Sequence, residues 1–394
     1  MRRFLFIVIA LLSLSSAAYP YSLFSYFSDK KGPVIASEFS SSISHRGKIK
    51  IPFLIEDEDT SVKEVQVYVD KNDVTSFVDF GSGYKNNKLS IDSEQLKDGI
   101  HYITIIAEDS SKAKNISVQE IPVNIDNTPP VLKLASGGGT FRQGKTGIIY
   151  FRSSEPLAGI DGVFQSKDIK AYPYKDKYRA ILGFSIDDPG NKNYYMKIKA
   201  KDLAGNLSEY HYRVYVSAEK YGTLSFTLKP KKMEMLMPDV IREDWKKIED
   251  VVKDENPKKY WQGRFEMPTS GRISMTFGID EFINGDESGK HRGLDIANAA
   301  GTLVKAANSG IVRLAERLPA HGNCVVIEHG QGIFTYYAHM QKLLVGVSEK
   351  VMKGQIIGQM GKTGVATGPH LHFSVSLHNL RVDPMQWLNG MVLD

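Results

Sequence analysis

Between about residues 33 and 217, apolar and polar positions alternate in short runs broken by Gly, Pro, Asn and Asp. In one such run Val65, Val67 and Val69 fall on one side and Glu64, Gln66 and Tyr68 on the other. A period of two predicts strands buried on one face. From Pro238 to Val252 the period changes: Ile241, Trp245, Ile248 and Val252 recur at helical spacing behind Pro238 and Asp239, which predicts one amphipathic helix over 239–252. From Ile273 to about Trp387 the pattern returns to short, Gly-punctuated strands of antiparallel character. The chain reads as mainly β.

A weak internal repeat divides the first β region. Tyr102, Ile105, Ala107 and Asp109 recur in the same order and spacing as Tyr195, Ile198, Ala200 and Asp202. The offset approaches the roughly 100 residues of one immunoglobulin-like sandwich. Asp126-Asn127-Thr128-Pro129-Pro130 lies between the copies, and its two prolines stiffen the chain and remove donors, which suits a junction. The expected organisation is one immunoglobulin-like domain over 33–127, a second over 128–217, a linker over 218–260 and a C-terminal domain over 261–390. The segment Asp202-Leu203-Ala204-Gly205-Asn206 has the composition of a tight β-turn, a reading favoured over calcium binding by its acids.

The N-terminus adds a compartment. Arg2 and Arg3 precede the apolar run Phe4 to Leu14 and the small residues Ser15 to Ala18, the layout of a secretory signal over 1–18. The run is short beside the roughly 20 residues of a spanning helix, so cleavage is the first expectation and retention as an anchor the second. The implied location is the periplasm or cell envelope. Charge changes little: 50 Lys and Arg against 45 Asp and Glu give +5 with no basic tract, so nucleic acid is not implied as a partner. The single cysteine, Cys324, allows no internal disulfide and sits in the apolar run Cys324-Val325-Val326-Ile327, where a thiol is inert.

Candidate chemistry gathers in the last domain. Of ten histidines, His45, His101 and His211 are scattered, while seven fall between His291 and His378. His291 and Asp295 stand four positions apart among glycines. In His370-Leu371-His372 an extended backbone sends both imidazoles to one face and Leu371 and Phe373 to the core. Two polar rings on one face need partners that an apolar core lacks. Tyr337 and His339 share a face by the same rule. Together these groups offer donors enough for tetrahedral zinc with an open position.

The stretch from about Trp261 to Trp387 resembles the lysostaphin and LytM-type zinc endopeptidases, which are peptidoglycan hydrolases. The resemblance runs through Phe277-Gly278, His291-x-Gly293-x-Asp295, Val325-Val326-Ile327-Glu328-His329-Gly330, Tyr337-Ala338-His339, Val351-x-Lys353-Gly354-Gln355-x-Ile357-Gly358 and Thr363-Gly364-x-x-Thr367-Gly368-Pro369-His370-Leu371-His372-Phe373. It implies an antiparallel β peptidase domain with one Zn2+, held by His291, Asp295 and His372, while His339 and His370 stay off the metal and handle protons. On that reading His370 takes the water proton and passes it to the leaving amine, and His339, with Tyr337, faces the oxyanion, the two histidines being open to exchange. Two positions depart from the pattern: Ile279 stands just after Phe277-Gly278 where relatives often carry arginine, and Ser374 stands where an acid is frequent. They put substrate contacts and hydrogen bonding behind the metal ligands in question. His321, His329 and His378 match no ligand position and are read as structural or exposed.

The implied substrate is peptidoglycan, at its stem peptides or cross-bridges. The N-terminal domains would position the enzyme or bind envelope scaffold proteins. The alternative is a non-enzymatic regulator or activator of other wall hydrolases, a role of relatives that have lost ligands. The helix around Trp245 and the run Met233 to Met237 before it are expected to pack as a linker, with a mask over the groove as the second reading.

Overall fold

The structure, a computed structural model, describes residues 29–391 apart from 41, 138, 139 and 166. The export signal read in 1–18 lies outside the described residues. Among the described residues no helix is long and apolar enough to cross a membrane. The fold is mainly β, in two compact units: residues up to Pro129 with Leu203–Asn206, and Pro130–Asp202 with Leu207 onward.

In the first unit the strand Lys48–Glu56 alternates throughout, with Ile49, Ile51, Phe53 and Ile55 inward. It is central to a four-stranded sheet, and Gly99–Asp109 lies at the middle of a five-stranded one. One core cluster takes Ile51, Ile55 and Leu89 from the first sheet and Val67, Ile105 and Val123 from the second, so the two pack face to face. Val65, Val67 and Val69 all point inward, as their alternation requires. The internal repeat marks one strand position used twice: Gly99–Asp109 in this unit and Lys192–Asp202 in the other bury Ile105, Ala107 and Asp109, and Ile198, Ala200 and Asp202, while Tyr102 and Tyr195 stay exposed. Asp109 ends its strand in a turn, its carboxylate accepting from Ser111 N at 3.0 Å and Asn115 N at 3.1 Å.

The second unit begins with an eight-stranded sheet in the order Leu132–Ser136, Thr146–Ser153, Lys177–Gly183, Lys167–Tyr174, Leu157–Phe164, Lys192–Asp202, Leu207–Ser217, Thr140–Arg142. Here the hydrogen-bonded path is continuous, unlike the two separate sheets of the first unit. It curls over one core of Phe151, Ile160, Phe184, Met196, Ile198 and Val214. Its first strand is tied to its seventh, Leu207–Ser217, where the Tyr210 hydroxyl accepts from Leu132 N at 2.8 Å. In the same unit Trp387 Nε1 donates to Thr146 Oγ1 at 2.9 Å, and Lys145 pairs with Asp383, joining this sheet to the C-terminal domain.

Elements that build the site are numbered in chain order. They are β1 (Thr223–Phe226), α1 (Pro238–Val252), β2 (Arg272–Met275), β3 (Asp280–Ile283), β4 (Asp286–Lys290), β5 (Leu294–Ala297), β6 (Gly310–Leu318), β7 (Gly322–Gly330), β8 (Ile333–Leu343) and β9 (His370–Leu377). The main sheet runs β2-β5-β9-β8-β7-β6 with antiparallel neighbours. One face covers a core that includes Val325, Ile327, Tyr337, Leu371, Phe373 and Trp387. On other positions of the same strands Cys324, Val326, Phe334 and Ala338 pack with Ile248 and Val252 of α1, so the helical stripe read in the sequence covers this sheet. Cys324 is buried, and burial pushes its thiol up to about 12.

Candidate metal centre

Three short segments place the predicted ligands. β3 and β4 form a hairpin whose two-residue turn, Asn284-Gly285, has both residues at positive φ, 56° and 96°. A mirror-image turn of this kind matches the twist of the strands it joins. His291 follows β4 directly, its N–H donating to Ile279 O at 2.8 Å. Asp295 sits in β5, directly opposite His372 of β9, and His370 is opposite Ala297. His370 and His372 share a face while Leu371 and Phe373 are fully buried on the other, as the period of two predicts.

The donor atoms converge. His291 Nε2 lies 3.2 Å from Asp295 Oδ1 and 3.1 Å from His372 Nδ1, and His372 Nδ1 lies 2.9 Å from Asp295 Oδ1. Bonds of about 2.0–2.2 Å in a tetrahedral zinc site put neighbouring donors about 3.3 Å apart, close to this triangle. The remaining ring nitrogens are also engaged. His291 Nδ1 donates to Thr276 O at 3.0 Å, which leaves Nε2 bare for a metal, and His372 Nε2 pairs at 3.0 Å with Ser374 Oγ, a hydroxyl able to accept from Nε2–H when Nδ1 holds a metal. Two imidazoles and a carboxylate with one open side fit a catalytic zinc. Ser374, the sequence departure, therefore supplies the supporting hydrogen bond itself. Gly293 is required by proximity: a Cβ there would stand 2.6 Å from the His372 ring.

The electrostatics of Asp295 and His372 suit a metal ligand, while at His291 burial is outweighed by the hydrogen bond to Asp295, which raises that imidazole above the ordinary histidine value. Burial alone would raise the Asp295 carboxyl, but the His291 and His372 imidazoles hold it well below the carboxylate range. Burial pushes His372 down to about 4 against the pull of Asp295, which keeps it a neutral ligand.

The other two predicted residues flank the triangle. His370 Nδ1 bonds Gly368 O at 2.9 Å and its Nε2 stands 3.7 Å from Asp295 Oδ2. His339 Nδ1 bonds Thr363 O at 2.8 Å, and its ring centroid is 4.8 Å from that of His370 and 6.0 Å from that of His372. A carbonyl only accepts, so Nδ1 carries the proton in both rings and the neutral forms turn a bare Nε2 away from those carbonyls. Burial, then the neighbouring imidazoles of His370 and His372, hold His339 well below the ordinary histidine value.

Tyr337 corrects one expectation: it does not share the face of His339. His339 has φ +62°, a left-handed conformation that breaks the alternation of β8 at that residue. Tyr337 stays opposite Phe373 in the core, its hydroxyl accepting from Ala307 N at 2.8 Å and bonding Thr335 Oγ1 at 3.0 Å. It is withdrawn as an oxyanion donor. His329 is buried between Ser309 O and Thr335 Oγ1, and His378 bonds Glu255, both structural roles. His321 pairs with Asp244 of α1 at 2.8 Å.

The five polar groups line a groove of about 580 Å³. The linker supplies one of its walls through Leu224, Phe226, Leu236, Ile241 and Trp245. Sequence reasoning missed Glu281, which lines the same groove from β3 and whose carboxyl is raised by burial and by Asp295 despite the opposing His291. Its one legible signal is an acid on the strand preceding the first ligand.

Residues 289–384 match the sequence profile of Peptidase family M23. The peptidoglycan DD-endopeptidase ShyA of Vibrio cholerae is 42 % identical over 96 residues, 24 % of this chain and 22 % of that protein. The DD-carboxypeptidase/endopeptidase Mpg of Neisseria meningitidis is 37 % identical over 95 residues, again 24 % and 22 %. The chain thus spans about a fifth of the length of these curated relatives. Among solved structures, the catalytic domain of lysostaphin from Staphylococcus simulans is 34 % identical, covering 30 % of this chain and 93 % of that one at a TM-score of 0.28. The matched stretch contains His291, Asp295, His339, His370 and His372, and the chain carries a Peptidase family M23 domain.

Proposed function

We propose that this protein is an exported zinc metalloendopeptidase that cleaves peptide crosslinks of bacterial peptidoglycan. The observation that carries the reading is the donor triangle of His291, Asp295 and His372, at 2.9–3.2 Å, with two further imidazoles beside it. The peptidoglycan endopeptidases among the relatives support the substrate class, and the signal-like N-terminus supports the compartment. His291, Asp295 and His372 hold one zinc, which supplies the acidity that brings water toward a pKa of about 7.

The chain's own residues manage the protons. His370 accepts the proton that water loses as its oxygen attacks the scissile carbonyl; Asp295 Oδ2, 3.7 Å from Nε2, stabilises the imidazolium that results. When the C–N bond breaks, the same Nε2–H protonates the leaving amine. His339 resists charging, so its bare Nε2 accepts a hydrogen bond and orients the attacking water, a different duty from the oxyanion contact first expected. The N-terminal domains over 33–127 and 128–217 position the enzyme on its polymer. A non-enzymatic regulator would have no need of all five polar groups.

Mass spectrometry of sacculi and defined crosslinked muropeptides tests the proposal with full-chain protein, with and without chelator, beside His372→Ala. Monomers released by the untreated native protein alone are the expected result. Equal release by His372→Ala, or none from any sample, would overturn it.

A further inference from the structure

Asp244 lies on α1, outside the stretch that matches the peptidase family, within a stripe otherwise made of Ile241, Trp245, Ile248 and Val252. Its side chain is fully buried. A helix packed only for burial would carry an apolar residue there, because a buried carboxylate costs several kcal/mol unless hydrogen bonds satisfy it. Asp244 Oδ1 has no partner among the described residues, and the bonds that Oδ2 makes all reach one loop. Asp244 Oδ2 accepts from Ala320 N at 2.9 Å, from His321 N at 3.0 Å and from His321 Nδ1 at 2.8 Å. Trp245 closes on the same loop, its ring edge-on to His321 with centroids 5.2 Å apart.

That loop holds His339. The N–H of His339 donates to His321 O at 2.9 Å. A left-handed non-glycine residue costs about 1–2 kcal/mol and persists only where its surroundings over-determine it. The ring of His339 has its own support, Thr363 O, and the linker grips that loop too. The Lys232 ammonium donates to Gly364 O and, at 3.4 Å, to Lys362 O, the carbonyls on either side of Thr363. Backbone and ring of His339 are thus each fixed by a carbonyl in a loop held by a linker side chain.

We infer that Asp244 is a positioning residue for His339, assisted by Lys232, so that the linker is a working brace of the active site and not a removable cover. The inference rests on the proposed role of His339. Loosening the loop lets the imidazole drift, and a misplacement of about 1 Å is enough to cost up to about 100-fold in rate. His291, Asp295 and His372 take no bond from either linker residue, so zinc binding is untouched.

Four full-length proteins test this: wild type, Asp244→Asn, Lys232→Met and, as a packing control, Ile248→Ala. Each is assayed for kcat and KM on a crosslinked muropeptide, zinc affinity, melting temperature and solvent exchange of the His339 Nδ1–H in 15N-histidine-labelled protein. For Asp244→Asn we expect kcat about 10- to 100-fold lower, KM and zinc affinity within about twofold, and Nδ1–H exchange at least about tenfold faster. Lys232→Met moves kcat and exchange the same way, and its partly exposed side chain keeps the test open if Asp244→Asn does not fold. Ile248→Ala lowers the melting temperature with kcat and exchange unchanged. Unchanged kcat and exchange in the folded linker variants would overturn the inference, as would an equal effect of Ile248→Ala. If the wild type cleaves no muropeptide the proposed function fails, and the exchange measurement still decides whether Asp244 holds His339.

Discussion

Replacing Gly293 with alanine tests the tightness of the metal centre with a single carbon. The new Cβ would lie 2.6 Å from Cε1 and Nε2 of His372 and 2.7 Å from Phe373 O. Ordinary carbon contacts are about 3.5–4.0 Å, so ring or backbone must retreat by about 1 Å. The strand carbonyl is tied into the sheet, and the ring is the softer partner. Its retreat breaks the 3.0 Å bond to Ser374 Oγ and moves Nδ1 out of the triangle it makes with His291 Nε2 and Asp295 Oδ1. Overpacking of this size costs about 1–3 kcal/mol of stability. Loss of support behind a ligand lowers metal affinity about 10- to 100-fold, and a displacement of this size costs about 100-fold in rate. Zinc affinity by chelator competition, the melting temperature and turnover of a crosslinked muropeptide measure the three effects together. A folded Gly293→Ala protein with wild-type zinc affinity and turnover would refute the packing of His372 over Gly293.

The role withdrawn from Tyr337 has its own test: Tyr337→Phe removes the acceptor of the Ala307 N–H and should cost about 1–3 kcal/mol in urea unfolding, while kcat/KM per folded molecule changes less than about threefold. Ser374→Ala should weaken zinc binding about 10- to 100-fold by chelator competition, because His372 Nε2 loses its partner. His329 should make the fold acid-sensitive. Burial pushes its imidazole down to about 4, so the unfolded chain, with an ordinary value near 6.5, binds the proton more readily. Its contribution is present above pH 6.5 and lost as pH falls toward 4, amounting to about 2 kcal/mol between pH 7 and pH 5. The difference between unfolding free energies at those two pH values should shrink by that amount in His329→Gln.

The paired histidines of the candidate site were legible because their geometry is local, whereas the grouping of His291 and Asp295 with His372 was implied by the family resemblance and depends on the pairing of β5 with β9. His370 and His372 stand two apart on a strand, and the strand period alone aims them together. The strand character of Lys48–Glu56 and Val62–Val69 and the stripe of α1 follow from the same kind of short-range pattern. Tyr337 failed for a reason the pattern cannot hold: the positive φ of His339 is imposed by loops at His321 and Thr363, distant in sequence. Ser374 and Glu281 reach the site only through strand pairings set by the whole sheet. The continuous eight-stranded path was hidden likewise, since alternation gives each strand its faces but not its neighbours. The same limit hides the partners of Asp244, which lie at Ala320 and His321, far along the chain from the helix.

An anomalous-difference map at the zinc edge, from crystals of the purified full-length protein, bears most directly on the account. It predicts one peak, about 2.0–2.2 Å from His291 Nε2, Asp295 Oδ1 and His372 Nδ1, with the rings of His339 and His370 beyond bonding range. Zinc bound elsewhere, or coordinated by His339 or His370 in place of that triangle, would contradict it.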